Sequence, residues 1–150
     1  MATPERSKPM TRDEILALLA RRNAAWAAYD ASVLASLHAP HGVVASPTGG
    51  VLEGREEIER IYRIWMAAFP DMKLVEVDAL IDGARAVQIF RMTGTHAGDF
   101  FGLPSTGRRV ETLMASVLTM ANGLITEERR IYDFTGVLVQ VGVLRAKPVA

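Results

Sequence analysis

The order of the periodic segments constrains the fold of this chain most. Apolar residues recur at helical spacing over residues 12–37 and again over 54–69, and strand-like patterns fill most of the remainder. Thr11 and Glu14 form a capping box before the first helix, and Asp30 predicts an interruption within it. Helices first and antiparallel strands after predict an α+β domain. We expect a curved, mostly antiparallel sheet with helices over its concave face and a pocket between the two layers.

Two hairpins are expected to form most of the sheet. The four long strands are predicted at residues 72–81, 85–96, 110–120 and 124–132. Asp82-Gly83 joins the first pair, and Asn122-Gly123, a dipeptide typical of type I′ turns, joins the second. A shorter strand near 43–46 and a short last helix near 135–143 complete the predicted elements.

Composition limits the class of protein. A chain of 150 residues fits one domain, predicted over residues 11–145, with a flexible tail at 1–10. Seventeen basic and seventeen acidic residues balance, which argues against nucleic acid or an anionic membrane as partner. The absence of cysteine excludes thiol chemistry and thiolate metal sites. No membrane-span pattern or signal peptide is recognisable, so we expect a soluble, cytoplasmic protein.

A glycine-rich loop at residues 94–107 carries one histidine, His96. Catalytic residues often lie on loops held by a rigid scaffold. A histidine side chain titrates near neutral pH, so it can give or accept a proton there. The alternative interpretation is a structural histidine that anchors the loop.

The sequence of this loop, Gly-Thr-His-Ala-Gly-Asp-Phe-Phe-Gly-Leu-Pro-Ser-Thr-Gly, resembles that of the SnoaL-like polyketide cyclases. Further matching motifs are Phe69-Pro70-Asp71, Asn122-Gly123 with Ile125 and Glu127, Tyr132-Asp133, and Gln140-Val141-Gly142. The resemblance extends from Ile15 to Gly142. It implies an α+β cone, shared with ketosteroid isomerase and limonene epoxide hydrolase, a pocket histidine at His96, and a homodimer.

The resemblance is incomplete at the residues that carry chemistry. In the cyclases an aspartate on the strand after the loop acts with the histidine as general acid/base, but that strand has only Glu111, and Ser116 stands where many relatives have aspartate. In the epoxide hydrolase branch the arginine falls at Arg91, while its two aspartates fall near Thr93 and at Arg130. The sequence therefore does not predict epoxide hydrolysis by that Arg–Asp–Asp mechanism.

Strand 124–132 presents charged residues on both faces. Because successive side chains of a strand point to opposite faces, two orientations are open. The residues that face inward are either Glu128, Arg130 and Tyr132, or Glu127, Arg129 and Ile131. Alignment with the epoxide hydrolase branch favours the first set, and a short, mostly solvated strand is the alternative. A charge facing the pocket needs a partner or a ligand.

The candidate site combines these residues. His96 is the predicted base, and Arg130 or Arg91 is expected to stabilise an enolate-like anion. The predicted substrate-binding residues are Trp26, Tyr29, Trp65, Thr112, Met114, Glu128 and Tyr132. We expect a small apolar organic ligand and no cofactor or metal, since His38 and His41 lack a third ligand. The enzyme hypothesis is a cofactor-free cyclase, isomerase or hydrolase; the alternative is a non-catalytic small-molecule-binding or dimerisation module.

A homodimer is also predicted from the strand patterns. Apolar sets on two strands need cover if the opposite faces line the pocket. They are Val75, Val77, Ala79 and Ile81 on one strand and Leu113, Ala115 and Val117 on another.

Overall fold

A computed structural model describes residues 8–145 of the chain. The helices in this part are α1 (Arg12–Ala27), α2 (Ala31–Ser36), α3 (Arg55–Ala68) and α4 (Phe134–Gln140). The strands are β1 (His38–Ser46), β2 (Gly50–Glu53), β3 (Lys73–Asp82), β4 (Arg85–Thr95), β5 (Arg109–Ala121) and β6 (Leu124–Tyr132). They form one open sheet in the order β2-β1-β6-β5-β4-β3. Its pairs are antiparallel except β1 with β6, which confirms the predicted α+β class.

The helix boundaries follow local sequence signals. Thr11 accepts a hydrogen bond from the Glu14 backbone and Glu14 reaches back, so the predicted capping box is formed. Asp30 caps α2 through its side chain, which explains the predicted interruption of the first helix. Helix α3 begins after Gly54 and ends before Pro70, as the pattern indicated.

The β1–β2 region is larger than predicted. Strand β1 begins at His38 rather than near residue 43, and the short strand β2 pairs with it across a turn at Pro47. Pro40 and Gly42 lie within β1, in the segment where its pairing with β6 is irregular, between His38 and Val43. The parallel pairing with a distant strand has no local signal in the sequence.

The two hairpins form as expected, with one correction in β3. Asn122 and Gly123 both have positive φ angles, 52° and 78°, as a type I′ turn requires. A bulge between Glu76 and Asp78 shifts the alternation of β3, so residues after it change faces. Ala79 and Ile81, predicted on the outer face, are half-buried, and Leu80 is exposed instead.

The core lies between the helices and the inner face of the sheet. That face of β4 is buried through Ala86, Gln88, Phe90 and Met92. Most of the predicted tail lies outside the described residues; the described Lys8 donates its backbone N–H to Asn122, and Met10 packs against the core. No helix within residues 8–145 combines the length and apolarity needed to cross a membrane.

Candidate functional site

A group of buried polar side chains lies inside the cone, and we call it the inner polar cluster. Its members are Arg22, His38, Tyr62, Gln88, Ser116, Glu128 and Arg130. Strand β6 supplies Glu128 and Arg130 from its inner face, together with Tyr132. The outward residues Glu127, Arg129 and Ile131 are exposed. The structure therefore selects the first of the two orientations that alternation left open.

Glu128 is the centre of this cluster. Its Oε1 atom accepts hydrogen bonds from Arg22 Nη2 at 2.6 Å, from Arg130 Nε at 3.0 Å and from Ser116 Oγ at 3.1 Å. Tyr62 donates its hydroxyl to the other oxygen at 3.3 Å. Residues of two helices, α1 and α3, and of two strands, β5 and β6, thus meet at one carboxylate. Gln88 of β4 joins the cluster one step away, because its side-chain oxygen accepts a hydrogen bond from Arg22 at 2.7 Å.

The charges in the cluster do not cancel. Burial alone would raise the pKa of Glu128, but the charges of Arg130 and Arg22 outweigh it and hold that pKa well below its usual range. Burial lowers the pKa of His38 to about 4 despite the nearby Glu128, so this histidine is neutral at pH 7. Among the cluster members two cations therefore face one anion, which leaves one net positive charge. The nearest further carboxylate in this hydrogen-bond network, Glu76, is exposed and connects to Arg22 only through Gln88.

A small cavity adjoins the two arginines. It has a volume of about 30 Å³, roughly the room for one water molecule. Its lining residues are Arg22, Trp26, Trp65, Met72, Leu74, Phe90, Met114, Ala115, Ser116 and Arg130. The walls are mostly apolar, and the polar atoms belong to the inner polar cluster.

A surface groove lies directly outside this cavity. The groove has a volume of about 280 Å³ and shares Trp26, Met72 and Leu74 with the cavity. These three residues therefore line both spaces. Displacing them would join groove and cavity into a space near the lower end of the range for ligand pockets, about 300 Å³.

The predicted substrate-binding residues are only partly brought together. Trp26, Trp65 and Met114 line the cavity, and Glu128 lies behind Arg130. The remaining three lie around it rather than in its lining. The hydroxyl of Tyr29 binds the carbonyls of Phe69 and Met72, that of Tyr132 lies 2.5 Å from Thr48 Oγ1, and Thr112 is half-buried on the inner face of β5.

Arg91 is placed differently from the prediction. Its side chain is half exposed on the outer face of the sheet and binds Glu111 at 2.9 Å. Strict alternation places Arg91 and His96 on opposite faces of the predicted strand, so they would converge only if Gly94 formed a bulge. Strands β4 and β5 pair in regular register from Arg85 to Thr95, and Arg91 therefore stays on the outer face. The expectation that Arg91 stabilises an anion in the pocket is therefore corrected.

His96 is fully buried, but it is not among the residues that line the cavity, and an aromatic layer separates it from Trp65 of the lining. Its ring centroid lies 5.7 Å from that of Phe69 and 6.3 Å from that of Phe100, and both of these rings also contact Trp65. The Nδ1 atom lies 3.0 Å from Thr106 Oγ1. The Nε2 atom is buried and has no hydrogen-bond partner among residues 8–145.

The backbone of His96 also fastens the loop. Its N–H donates to Arg108, and its carbonyl accepts from Thr106 and Gly107. Both sequence interpretations, a loop anchor and a proton-transfer group, thus retain a structural basis. In this part of the chain no three His, Asp or Glu side chains lie close enough together to hold a metal ion.

Sequence reasoning missed the role of Arg22. This charged residue lies in the apolar stripe of α1 and is only 1 % exposed. Both of its terminal nitrogens donate hydrogen bonds to other cluster members. A charged residue in the apolar stripe of an amphipathic helix was the available signal. His38 and Gln88 gave no comparable signal, because their partners lie on distant elements.

The open sheet and the helices that cover it define the class of protein as an α+β cone with the ketosteroid isomerase-like fold. The family model of the SnoaL-like polyketide cyclases matches residues 17–141. This chain belongs to that family.

Solved structures agree with this assignment. AclR from Streptomyces galilaeus, a candidate hydroxylase, is 26 % identical, with a TM-score of 0.79 over 92 % of this chain and 87 % of AclR. IdmH from Streptomyces antibioticus, a candidate polyketide cyclase, is 28 % identical, with a TM-score of 0.71 over 85 % of this chain and 97 % of IdmH. TerC, co-crystallised with polyporic acid, shares the fold at 15 % identity and a TM-score of 0.71, over 85 % and 98 % of the two chains. No curated protein gave a significant sequence match.

Proposed function

We propose that this protein binds a small, largely apolar organic molecule with one anionic or enolisable oxygen in the cavity between α1, α3 and the sheet. The oxygen lies toward Arg130 and Arg22, and the carbon skeleton lies against the aromatic and methionine side chains. Polyketide-like ketones and phenols have this chemistry.

The uncompensated positive charge at the cavity is the observation that carries this proposal. Arg130 is 6 % exposed and Arg22 is 1 % exposed, and they share the single carboxylate of Glu128. A buried charge without full compensation is costly, and an anionic ligand removes that cost. The Arg130 guanidinium carbon lies 4.6 Å from the ring centroid of Tyr62, and this cation–π contact offsets the cost of the buried charge only in part.

The apolar walls support the second half of the proposal. Phe90, Leu74 and the flexible methionines Met72 and Met114 line the cavity. Methionine side chains adapt to irregular shapes, so these walls can move when a ligand enters. The cavity is too small for an organic molecule unless these walls move. We propose that the ligand enters from the groove beside Trp26 as they do so.

A binding experiment with two probes tests this proposal. Benzoylacetone supplies an enolisable 1,3-diketone, and butylbenzene has the same carbon skeleton without oxygen. Arg130→Met is expected to weaken benzoylacetone binding by about 10- to 100-fold, the loss of a hydrogen bond to a charged group. Isothermal titration measures it.

Arg129→Met is the matched control for this variant. Arg129 neighbours Arg130 on β6 but is exposed, so its replacement should leave benzoylacetone affinity unchanged. Butylbenzene affinity should be similar in both variants. Equal benzoylacetone affinities for Arg130→Met and the wild type would refute the anion site.

Proton transfer by His96 is the catalytic form of the proposal. The unpartnered Nε2 atom favours it, since a buried ring nitrogen without a partner is available to a ligand. Phe69 and Phe100 lie between this ring and Trp65 of the cavity wall, so contact requires that the ligand displace this aromatic layer. The alternative remains a binding module without catalysis.

A homodimer through the outer sheet face is also proposed. Val75, Arg91 and Leu113 form one row across β3, β4 and β5, and Val75 and Leu113 are more than half exposed. Ile131 lies on the same face and is also 53 % exposed. Exposed apolar groups that share a face favour an interface.

Leu113→Asp should convert this dimer into a monomer, because a charge cannot be buried unpaired at an apolar interface. Light scattering at micromolar concentration measures the mass. Val51→Asp, the same kind of change at an exposed position on β2, is the control and should leave the dimer intact. A wild-type monomer would refute the proposed interface.

A further inference from the structure

The two tryptophans of the chain share an unusual property. Trp26 and Trp65 are its only tryptophans, and both line the cavity. The Nε1 atom of each indole is buried, and none of the described residues offers it a hydrogen-bond acceptor. Buried polar groups normally have a partner, so two unpartnered indoles at one cavity require an explanation.

Arg22 contributes a third group of the same kind. Its Nε atom is likewise buried without a partner in the described part of the chain, although its terminal nitrogens are bonded. An indole N–H and a guanidinium N–H can donate but never accept. Within residues 8–145, the buried side-chain nitrogen and oxygen atoms of the cavity lining that lack a partner are therefore all donors.

We propose that Trp26 and Trp65 are specificity-determining residues whose indole N–H groups donate to two acceptor oxygens of the ligand. The cavity would then select molecules with several carbonyl, enolate or carboxylate oxygens over hydrocarbons of the same shape. This inference rests on the proposed function, since it requires that a ligand occupy the cavity.

An aromatic ring is the competing acceptor for these donors. The Trp26 ring meets Tyr62 edge-on at 5.1 Å between centroids, and the Trp65 ring meets Tyr132 edge-on at 5.4 Å. A ring face is a weak acceptor compared with a carbonyl oxygen. A ligand oxygen is therefore expected to replace any contact between an indole N–H group and a ring face. The expected result is a shift of the indole proton resonance when the ligand binds.

The experiment uses the full-length chain labelled with ¹⁵N. Its two indole N–H groups give two resonances in a proton–nitrogen correlation spectrum, assigned with Trp26→Phe and Trp65→Phe. Benzoylacetone and butylbenzene are the probes. Benzoylacetone is expected to move both indole protons downfield, as a new hydrogen bond does, whereas butylbenzene is not.

The affinities of the two variants separate the N–H group from the ring. A phenylalanine loses bulk as well as the donor, so both probes bind less well, but only benzoylacetone loses a hydrogen bond. The ratio of benzoylacetone to butylbenzene affinity should therefore fall by about 2- to 12-fold in each variant, the range for one uncharged hydrogen bond.

Three results distinguish the proposed role of the indoles from the alternatives. Downfield shifts with a reduced affinity ratio support the role of the indoles. Binding of benzoylacetone with an unchanged ratio and unmoved indole protons overturns this inference but leaves the anion site at Arg130 standing. Failure of both probes to bind the wild type overturns the inference together with the proposed function.

Discussion

Replacing Glu128 with glutamine is expected to lower the free energy of unfolding by about 3–5 kcal/mol, the cost of breaking a buried ion pair. Glu128 is fully buried and accepts hydrogen bonds from Arg22 and Arg130. Glutamine keeps the shape of the side chain but leaves two buried cations without an anion. Urea unfolding at pH 7, followed by tryptophan fluorescence, measures the change.

Glu127→Gln is the matched control. Glu127 precedes Glu128 on β6 but is exposed on the outer face, so its replacement should change stability by less than about 0.5 kcal/mol. A loss below about 1 kcal/mol for Glu128→Gln would contradict the picture of a carboxylate that holds two buried cations.

The contribution of Glu128 to the free energy of unfolding is also expected to depend on pH. The folded state lowers the pKa of Glu128, so the unfolded chain binds its proton more readily. The stabilisation by this carboxylate is therefore complete above the unfolded pKa, about 4.3, and decreases as the pH falls below it. The difference in stability between wild type and Glu128→Gln should narrow as the pH falls from 5 toward 3.

Replacing His96 with glutamine is expected to lower proton-transfer activity by about 10²–10⁴-fold, the usual contribution of a general acid or base. The measurable reaction is exchange of the α-hydrogens of 1-tetralone, a simple enolisable ketone, for solvent deuterium, followed by mass spectrometry. Glutamine retains hydrogen-bonding atoms near Thr106, but its amide has no basic nitrogen that could accept the α-proton of the ketone.

His41→Gln is the control for this experiment. His41 is exposed on β1, so the exchange rate should be unchanged. Circular dichroism must show that His96→Gln is folded, since this side chain is fully buried and removing it changes packing. A folded His96→Gln protein with the wild-type rate would assign His96 to loop anchoring and favour the non-catalytic binding module.

Local signals in the sequence predicted the local structure well. The capping box at Thr11, the Asn122-Gly123 turn and the end of α3 before Pro70 each depend on neighbouring residues, and each was confirmed. Features that depend on distant pairing were missed. The bulge of β3 at Glu76 and the parallel pairing of β1 with β6 have no such local cause.

The same division applies to the candidate site. Alternation along β6 restricted Arg130 and Glu128 to one face but did not show which face is buried. The alignment with the epoxide hydrolase branch favoured burial of these two residues, and the folded sheet has them buried. Arg91 needed a bulge at Gly94 to turn inward, and the regular register of β4 and β5 excludes it. The partnership of Arg22 with Gln88 joins residues 66 positions apart, which periodicity cannot reveal.

The inner polar cluster acts as a spacer as well as a charge site. Arg22 connects α1 to three different strands through Gln88, Ser116 and Glu128. A purely apolar layer at this place would close onto the sheet and remove the cavity, because protein interiors pack densely. Replacing the cluster with apolar side chains that also fill the cavity is therefore expected to give a more stable protein, as in other buried ion-pair groups, but one without space for a ligand. The inner polar cluster thus preserves space for a ligand inside the cone, and it limits the free energy of unfolding of the protein without a ligand.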